Sequence, residues 1–490
     1  MSASAGDPDG LEGIHGKQGV QGVGPLRHNR DFQLLWGGQA VSLLGSQTSK
    51  IAYPLLVLAM TGSPAKAGIA GFAAMLGYLL FPLLAGGVAD RHDRKRILIA
   101  CDAIRLAAVG SIAVAGWVAH ITYVQVLVAG FLEGAATVFF GVAQRAALPM
   151  LVHPSQRSVA VGQNEARQNA AQLAGPALGG ALFGLSRAAP FAADAVSYLA
   201  SLVTLPFIKA PMQAGPRVSH AGSGGFRAGS CRFRASSCRF RAGSRRFRAS
   251  SGGFRAGSRR FRASSRRFRA SVGRLRAELG EGLAWTWRQP FLRYSAFFAA
   301  SVNVLLQVLT LGLIVLARHD GAAPAEVGVI VACMGAGGLA GAFAAPWFQK
   351  RVPVGIAITG CMWIWTVLLA LIVVIRVPLW LCPVVTVFGF VGPSWNVSVQ
   401  TYRMRITPNH LLGRTSSVAL QIGWGVIPLG SLLAGFLLQA LSPSAAMTVV
   451  AAGMAVTAAT ATALAPIRQA GRRDQPRPSW APAPAAPGGT

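Results

Sequence analysis

The chain has 490 residues, of which 52 % are hydrophobic and only 12 % charged, with a mean hydropathy of +0.47. That charge cannot cover the surface of a soluble molecule of this size, which excludes a soluble enzyme, a secreted disulfide scaffold and a disordered chain and leaves an integral membrane protein. The net charge of +31 does not point to nucleic acid, because 15 of the 46 Lys and Arg crowd into one 49-residue low-complexity block and most others sit in short gaps between apolar runs.

In chain order, residues 1–33 form a polar, Gly-rich tail that lacks the apolar core and cleavage site of a signal peptide. Six apolar stretches follow at 34–60, 66–89, 97–118, 121–144, 160–185 and 190–208, each near the roughly 20 residues a membrane helix needs. They make a first unit, 34–210. Residues 211–290 form a linker containing seven tandem heptads at 224–272, from GGFRAGS to RRFRASV. Each heptad places its Phe and Ala two apart, which gives no coiled-coil seam. Ser, Gly and dense like charge favour disorder there. Arg interleaved with Phe leaves contact with anionic lipid heads open, and no specific nucleic acid is expected. An amphipathic helix on the inner membrane surface is predicted over 275–287. Six more apolar stretches, at 292–317, 325–348, 354–375, 379–401, 416–440 and 444–465, make a second unit, 291–466, and 467–490 is another polar tail. The expected fold class is an all-α membrane protein of 12 transmembrane helices in two six-helix pseudo-symmetric bundles.

Assigning the gaps alternately, and leaving out the heptads, puts 24 Lys and Arg on one side of the membrane and four on the other. The positive side is the cytoplasm, so both termini and the linker are expected inside the cell, with the protein multi-pass in the plasma (inner) membrane. The halves repeat weakly. Gly86–Arg96 (GGVADRHDRKR) matches Gly341–Arg351 (GAFAAPWFQKR) at an offset of 255 residues, and the segments from His153 and Thr407 match at 254. Duplicated halves with a site between them near the midplane are a transporter design. The six cysteines are scattered with no CxxC spacing. No metal, cofactor or redox pair is suggested. No phosphate loop of the GxxxxGK[ST] form and no nucleophile–base set occurs, so neither an ATP-driven pump nor an enzyme is expected.

The string Gly86-Gly-Val-Ala-Asp90-Arg91-His-Asp-Arg94-Lys95-Arg96 resembles the loop signature of the major facilitator superfamily. Its extension DRHDRKRILIACDAIR, with Leu148–Val152 and Pro408–Arg414, is similar to the exporter branch holding the enterobactin exporter and macrolide-efflux proteins. The resemblance implies that Gly86, Asp90, Arg91, Arg94 and Lys95 form a cytoplasmic gate motif that latches against span eleven. Gly175-Pro176-Ala-Leu-Gly179-Gly180 resembles the core of the antiporter signature of exporters, a helix-packing motif in which Pro bends the helix and small residues admit a neighbour. The implied function is secondary-active, proton-coupled export of a small organic compound such as a siderophore, drug or secondary metabolite. An importer, an uncoupled facilitator of the same fold and a non-transporting receptor stay open.

Charge inside a membrane is costly and marks function. Glu133, near the middle of span four, is the most deeply placed acid, and Asp102 and Asp194 are the rivals for carrying a coupling proton. Arg105, at i+3 from Asp102, and Lys50, on span one, are the charged partners. Trp36, Trp117, Trp287 and Trp380 read as interface anchors, whereas Trp363, Trp365, Trp395 and Trp424 lie deeper, where a bulky substrate could stack.

Overall fold

The computed structural model describes residues 26–210, 212, 280–375, 380–408 and 411–470. The heptads at 224–272, most of the linker, the first 25 residues and the last 20 lie outside them. The helices are α1 (Arg30–Thr61), α2 (Pro64–Leu80), α3 (Pro82–Arg91), α4 (Arg94–Trp117), α5 (Tyr123–Leu151), α6 (Arg157–Leu185) and α7 (Ala189–Thr204) in the first half. In the second half they are α8 (Pro290–His319), α9 (Pro324–Arg351), α10 (Val354–Val374), α11 (Leu381–Ile406), α12 (Leu412–Gly425), α13 (Ile427–Ala440), α14 (Pro443–Ala463) and the short α15 (Ala465–Arg468). Residues 280–288 are also helical.

Local chemistry sets many of the ends. Asn29, Ser63, Asp93, Thr122 and Ser442 accept a hydrogen bond from a first-turn amide of the helix that follows. Pro opens α2, α8, α9 and α14, where its missing N–H costs nothing. Gly62 closes α1 at φ 62°, a left-handed conformation that suits glycine.

Two apolar stretches that the sequence presents as continuous are broken. Pro82 follows a kink at Phe81 and separates α2 from α3, and Pro428 stands two residues after the break at Val426 between α12 and α13. Among the described residues, nine helical stretches are long and apolar enough to cross a membrane. The other expected spans coincide with α1, α6 and the broken α2–α3 pair. The first two are diluted by Gln, Ser, Thr, Asn and Arg, and α2 alone has 17 residues. No strand occurs among the described residues.

Packing repeats between the halves. In the first, α1 lies against α6 and α7, α4 against α5 and α7, and α2 against α5. In the second, α8 lies against α13 and α14, α10 against α11 and α14, and α9 against α11. Each pair thus has its counterpart, as a duplicated bundle requires. Two further contacts join the halves, α2 with α13 and α6 with α9, and the repeat exchanges one for the other. The outside is apolar: Leu185, Phe343 and Val374 are 82, 80 and 74 % exposed, a surface suited to lipid.

The halves touch most closely at the end opposite the basic 91–96 loop. There Gly68 of α2 meets Gly435 and the Ser431 carbonyl of α13, and Gly180 of α6 meets Gly328 and the Pro324 carbonyl of α9. Any Cβ at these four glycines would strike backbone. Ser63 also donates to Gln439 at 2.8 Å across the same boundary. At the basic end, a Cβ on Gly86, Gly87 or Gly162 would meet nothing within 4 Å.

Candidate functional site

Between the halves lies a cavity of about 870 Å³, walled by α1, α2, α6, α8, α9, α10, α11, α12 and α13. From Gly68 and Pro176 near the sealed end, its lining runs to Gln400 and Arg403 near the basic end. Apolar and aromatic groups dominate it, with amides at Gln172, Asn303, Gln307 and Asn396. Trp365, Trp395 and Trp424, three of the four deeper tryptophans, are in the wall. Trp365 stacks on Phe388 at 5.6 Å and donates from its indole to the Phe388 carbonyl at 2.9 Å. The buried indole N–H of Trp395 has no acceptor among the described residues. Trp363 faces outward instead and donates to Thr462 at 3.1 Å.

The three candidate acids sit behind this wall, inside the first half. Glu133 on α5 is bound at both oxygens: Tyr53 of α1 donates at 2.8 Å and Tyr198 of α7 at 3.1 Å. Tyr53 itself lines the cavity, so one phenol separates Glu133 from the cavity. Tyr198 also lies 2.8 Å from the Ser46 hydroxyl. Asp194 is fully buried and accepts from Ser49 at 2.5 Å and Ser197 at 3.2 Å. Asp102 is paired with Arg105 and accepts from Ser201 at 2.7 Å. The Arg105 guanidinium lies over the rings of Phe140 and Tyr198, 4.2 and 4.7 Å from their centroids. A continuous polar chain therefore runs from Asp102 through Arg105, Tyr198, Glu133 and Tyr53 to the cavity.

Lys50 interacts with Glu133 and Asp194 through charge alone, at a distance. Among the described residues its ammonium makes no hydrogen bond and no ion pair within 4 Å, and its side chain is exposed to the cavity. The i, i+3 step from Lys50 to Tyr53 puts both on the cavity face of α1, while Ser46 and Ser49 serve the buried network.

The sequence reading missed the hydroxyl partners. Their signal is present as a stripe at helical spacing, Asp194, Ser197, Tyr198 and Ser201 on α7, facing Ser46, Ser49 and Tyr53 on α1. Arg403, two residues past the expected end of span ten at 401, stands in the cavity wall.

Gly175 and Gly179 of the packing motif lie against α1 at Gln47 and Thr48, and Gly180 against α9. Pro176 lies within α6 and its carbonyl faces Gly328. The expected latch belongs to a state closed at the basic end, and here that end is open. Arg94 donates to the Ala146 and Met212 carbonyls at 2.8 and 3.0 Å, and Lys95 to Pro206 and Ile208 at 2.9 and 2.8 Å. Both bind carbonyls of the first half and of the start of the linker, and neither bonds to span eleven among the described residues. With the halves parted at this end, these carbonyls are what they can reach. The side chains of Asp90 and Arg414 lie outside the described residues. Arg91 is exposed.

A family model described as "Transmembrane secretion effector" matches residues 20–251. Macrolide efflux protein A of Streptococcus pyogenes is 28 % identical over 188 residues, an alignment spanning 38 % of this chain and 46 % of that relative. The chain thus spans under half the length of that relative. Multidrug efflux pump Tap of Mycobacterium tuberculosis is 25 % identical over 437 residues, covering 87 % of this chain and 91 % of the pump. Among solved structures, a bacterial homologue of the human lysosomal transporter Spinster has a TM-score of 0.63 at 14 % identity, covering 93 % of this chain and all of that one. The nucleoside transporter NupG has a TM-score of 0.63 at 12 % identity, covering 88 and 98 %. The duplicated bundles, the shared fold and the match over 20–251 together make the chain a protein of the major facilitator fold, related in sequence to the transmembrane secretion effectors.

Proposed function

We propose that this protein is a secondary-active exporter that moves small organic compounds out of the cytoplasm in exchange for protons. The observation that carries the reading is the cavity between two pseudo-symmetric halves, sealed at one end by glycine contacts and lined up to Arg403 at the other. Rocking the halves about such a site exposes it to each face in turn. The efflux relatives supply the direction of transport. In this reading all 12 expected spans cross the membrane, the basic end and both termini are cytoplasmic, and the cavity faces the cytoplasm.

Glu133 is the residue we assign to the coupling proton. Asp102 is already neutralised by Arg105, and Asp194 is wrapped by serines away from the cavity. Glu133 alone of the three is bonded by a side chain that lines the substrate space. The Tyr53 hydroxyl that donates to Glu133 favours the charged carboxylate, so binding of a substrate to Tyr53 held in that orientation goes with release of the proton to the cytoplasm. Loss of the substrate on the other face lets Glu133 take up the proton that returns inward.

Glu133→Gln tests this in inside-out vesicles. Gln keeps the shape but cannot titrate, so downhill exchange of substrate should survive while proton-driven uphill transport fails. Full uphill accumulation by the variant would remove Glu133 from the coupling and leave Asp194 and Asp102.

A further inference from the structure

The charges that reach the cavity have one sign. Among the described residues, two of the side chains in its wall are charged, Lys50 and Arg403, and both are cations. No carboxylate of the described residues lines it. The acids nearest in the fold are withdrawn: Glu133 is 9 % exposed with both oxygens taken by tyrosines, and Asp194 and Asp102 are fully buried on serines and Arg105. Glu165, exposed on α6 one turn before Asn169 toward the basic end, is not in the lining.

The two cations lie at different depths. Arg403 stands in the last turn of α11, toward the basic end, and donates to Gln400 at 3.2 Å. Lys50 stands mid-way along α1 with no hydrogen bond and no ion pair within 4 Å among the described residues. A cleft lined by one sign of charge and low-dielectric walls concentrates ligands of the opposite sign. An ammonium that makes no hydrogen bond of its own gains a strong, charge-assisted bond from an anion that arrives. The amides and the free Trp395 indole add neutral donors, and the tryptophans add apolar faces.

We propose that the cavity selects amphiphilic aromatic compounds bearing a carboxylate or another acidic group, with Lys50 as the group that binds the anion and Arg403 as the cation at its entrance. The proposal rests on the cavity being the substrate site of the exporter proposed above. It separates this chain from carriers of cationic drugs, whose sites need an acid facing the ligand.

The experiment uses the purified full chain in lipid nanodiscs and three ligands on one scaffold: dansylglycine (anion), dansylglycinamide (neutral) and dansyl-ethylenediamine (cation). Energy transfer from the cavity tryptophans reads binding. The acid should bind at least tenfold more tightly than the amine, with the amide between. Lys50→Gln should weaken the acid about tenfold, equivalent to about 1.4 kcal/mol, and leave the amide within twofold. Lys50→Arg should keep the preference for the acid, and Arg403→Gln should reduce it less than Lys50→Gln. Amine binding equal to that of the acid, equal losses of acid and amide in Lys50→Gln, or no binding of the acid overturns the assignment. Proteoliposomes with a proton gradient separate the two readings. Selective binding of the acid without uphill movement sinks the exporter and keeps the site. Uphill movement of the amine with indifference to the acid does the reverse.

Discussion

Gly180→Ala isolates the seal between the halves. A Cβ at position 180 would lie against the Pro324 carbonyl oxygen and 2.8 and 2.9 Å from Cα and N of Gly328. All three are backbone atoms, so no rotamer change relieves them, and α6 and α9 must separate. Overpacking of this kind costs about 1–3 kcal/mol. It applies only while the seal is closed. The gain in helix propensity from Gly to Ala, about 1 kcal/mol, applies in every state and cancels. The equilibrium should therefore move away from the sealed state by about 5- to 150-fold, at 1.4 kcal/mol per tenfold. Trapping of Ser63→Cys with Gln439→Cys by a short thiol cross-linker, in a background with the native cysteines replaced, reads the sealed population, because the side chains they replace meet at 2.8 Å. Trapping should fall in Gly180→Ala and stay unchanged in Gly184→Ala, where a Cβ one turn on meets nothing within 4 Å. Equal trapping in a folded Gly180→Ala protein would refute the steric argument.

Arg105→Met should cost about 3–5 kcal/mol by leaving Asp102 buried and uncompensated, and adding Asp102→Leu should restore much of it. Thermal unfolding in detergent checks both, and a double variant no more stable than the single would count against the pair. Deleting 224–272 should leave insertion and most transport intact, since the heptads offer no seam for packing; loss of inserted protein on a membrane blot would contradict that. Single-cysteine labelling should find positions 17, 220 and 472 cytoplasmic and 66 and 187 external, and external labelling at 220 would overturn the proposed topology.

Much of this architecture was legible in the chain, because a bilayer imposes a simple rule on sequence. Twenty or so apolar residues must run together wherever a helix meets lipid, and the loop charges follow from insertion. The halves, the long linker and the acids on spans three, four and six could all be read that way. Helix breaks were harder. Pro82 and Pro428 stand inside apolar runs, and hydropathy does not register a lost amide hydrogen bond.

Tertiary structure alone decided the electrostatics of the site. Sequence showed Glu133, Asp102 and Asp194 as deep charges and Lys50 as a natural partner. It could not show that tyrosines and serines from α1 and α7 would turn the acids away from the cavity and leave Lys50 facing it. Nor could it show that Arg403 belongs to the cavity wall, or that Arg94 and Lys95 bind carbonyls of their own half. The physical reason is common to all of these. Hydropathy and helical period are properties of one segment against its solvent, whereas the partner of a buried charge is fixed by which neighbouring helix presents a donor within about 3 Å.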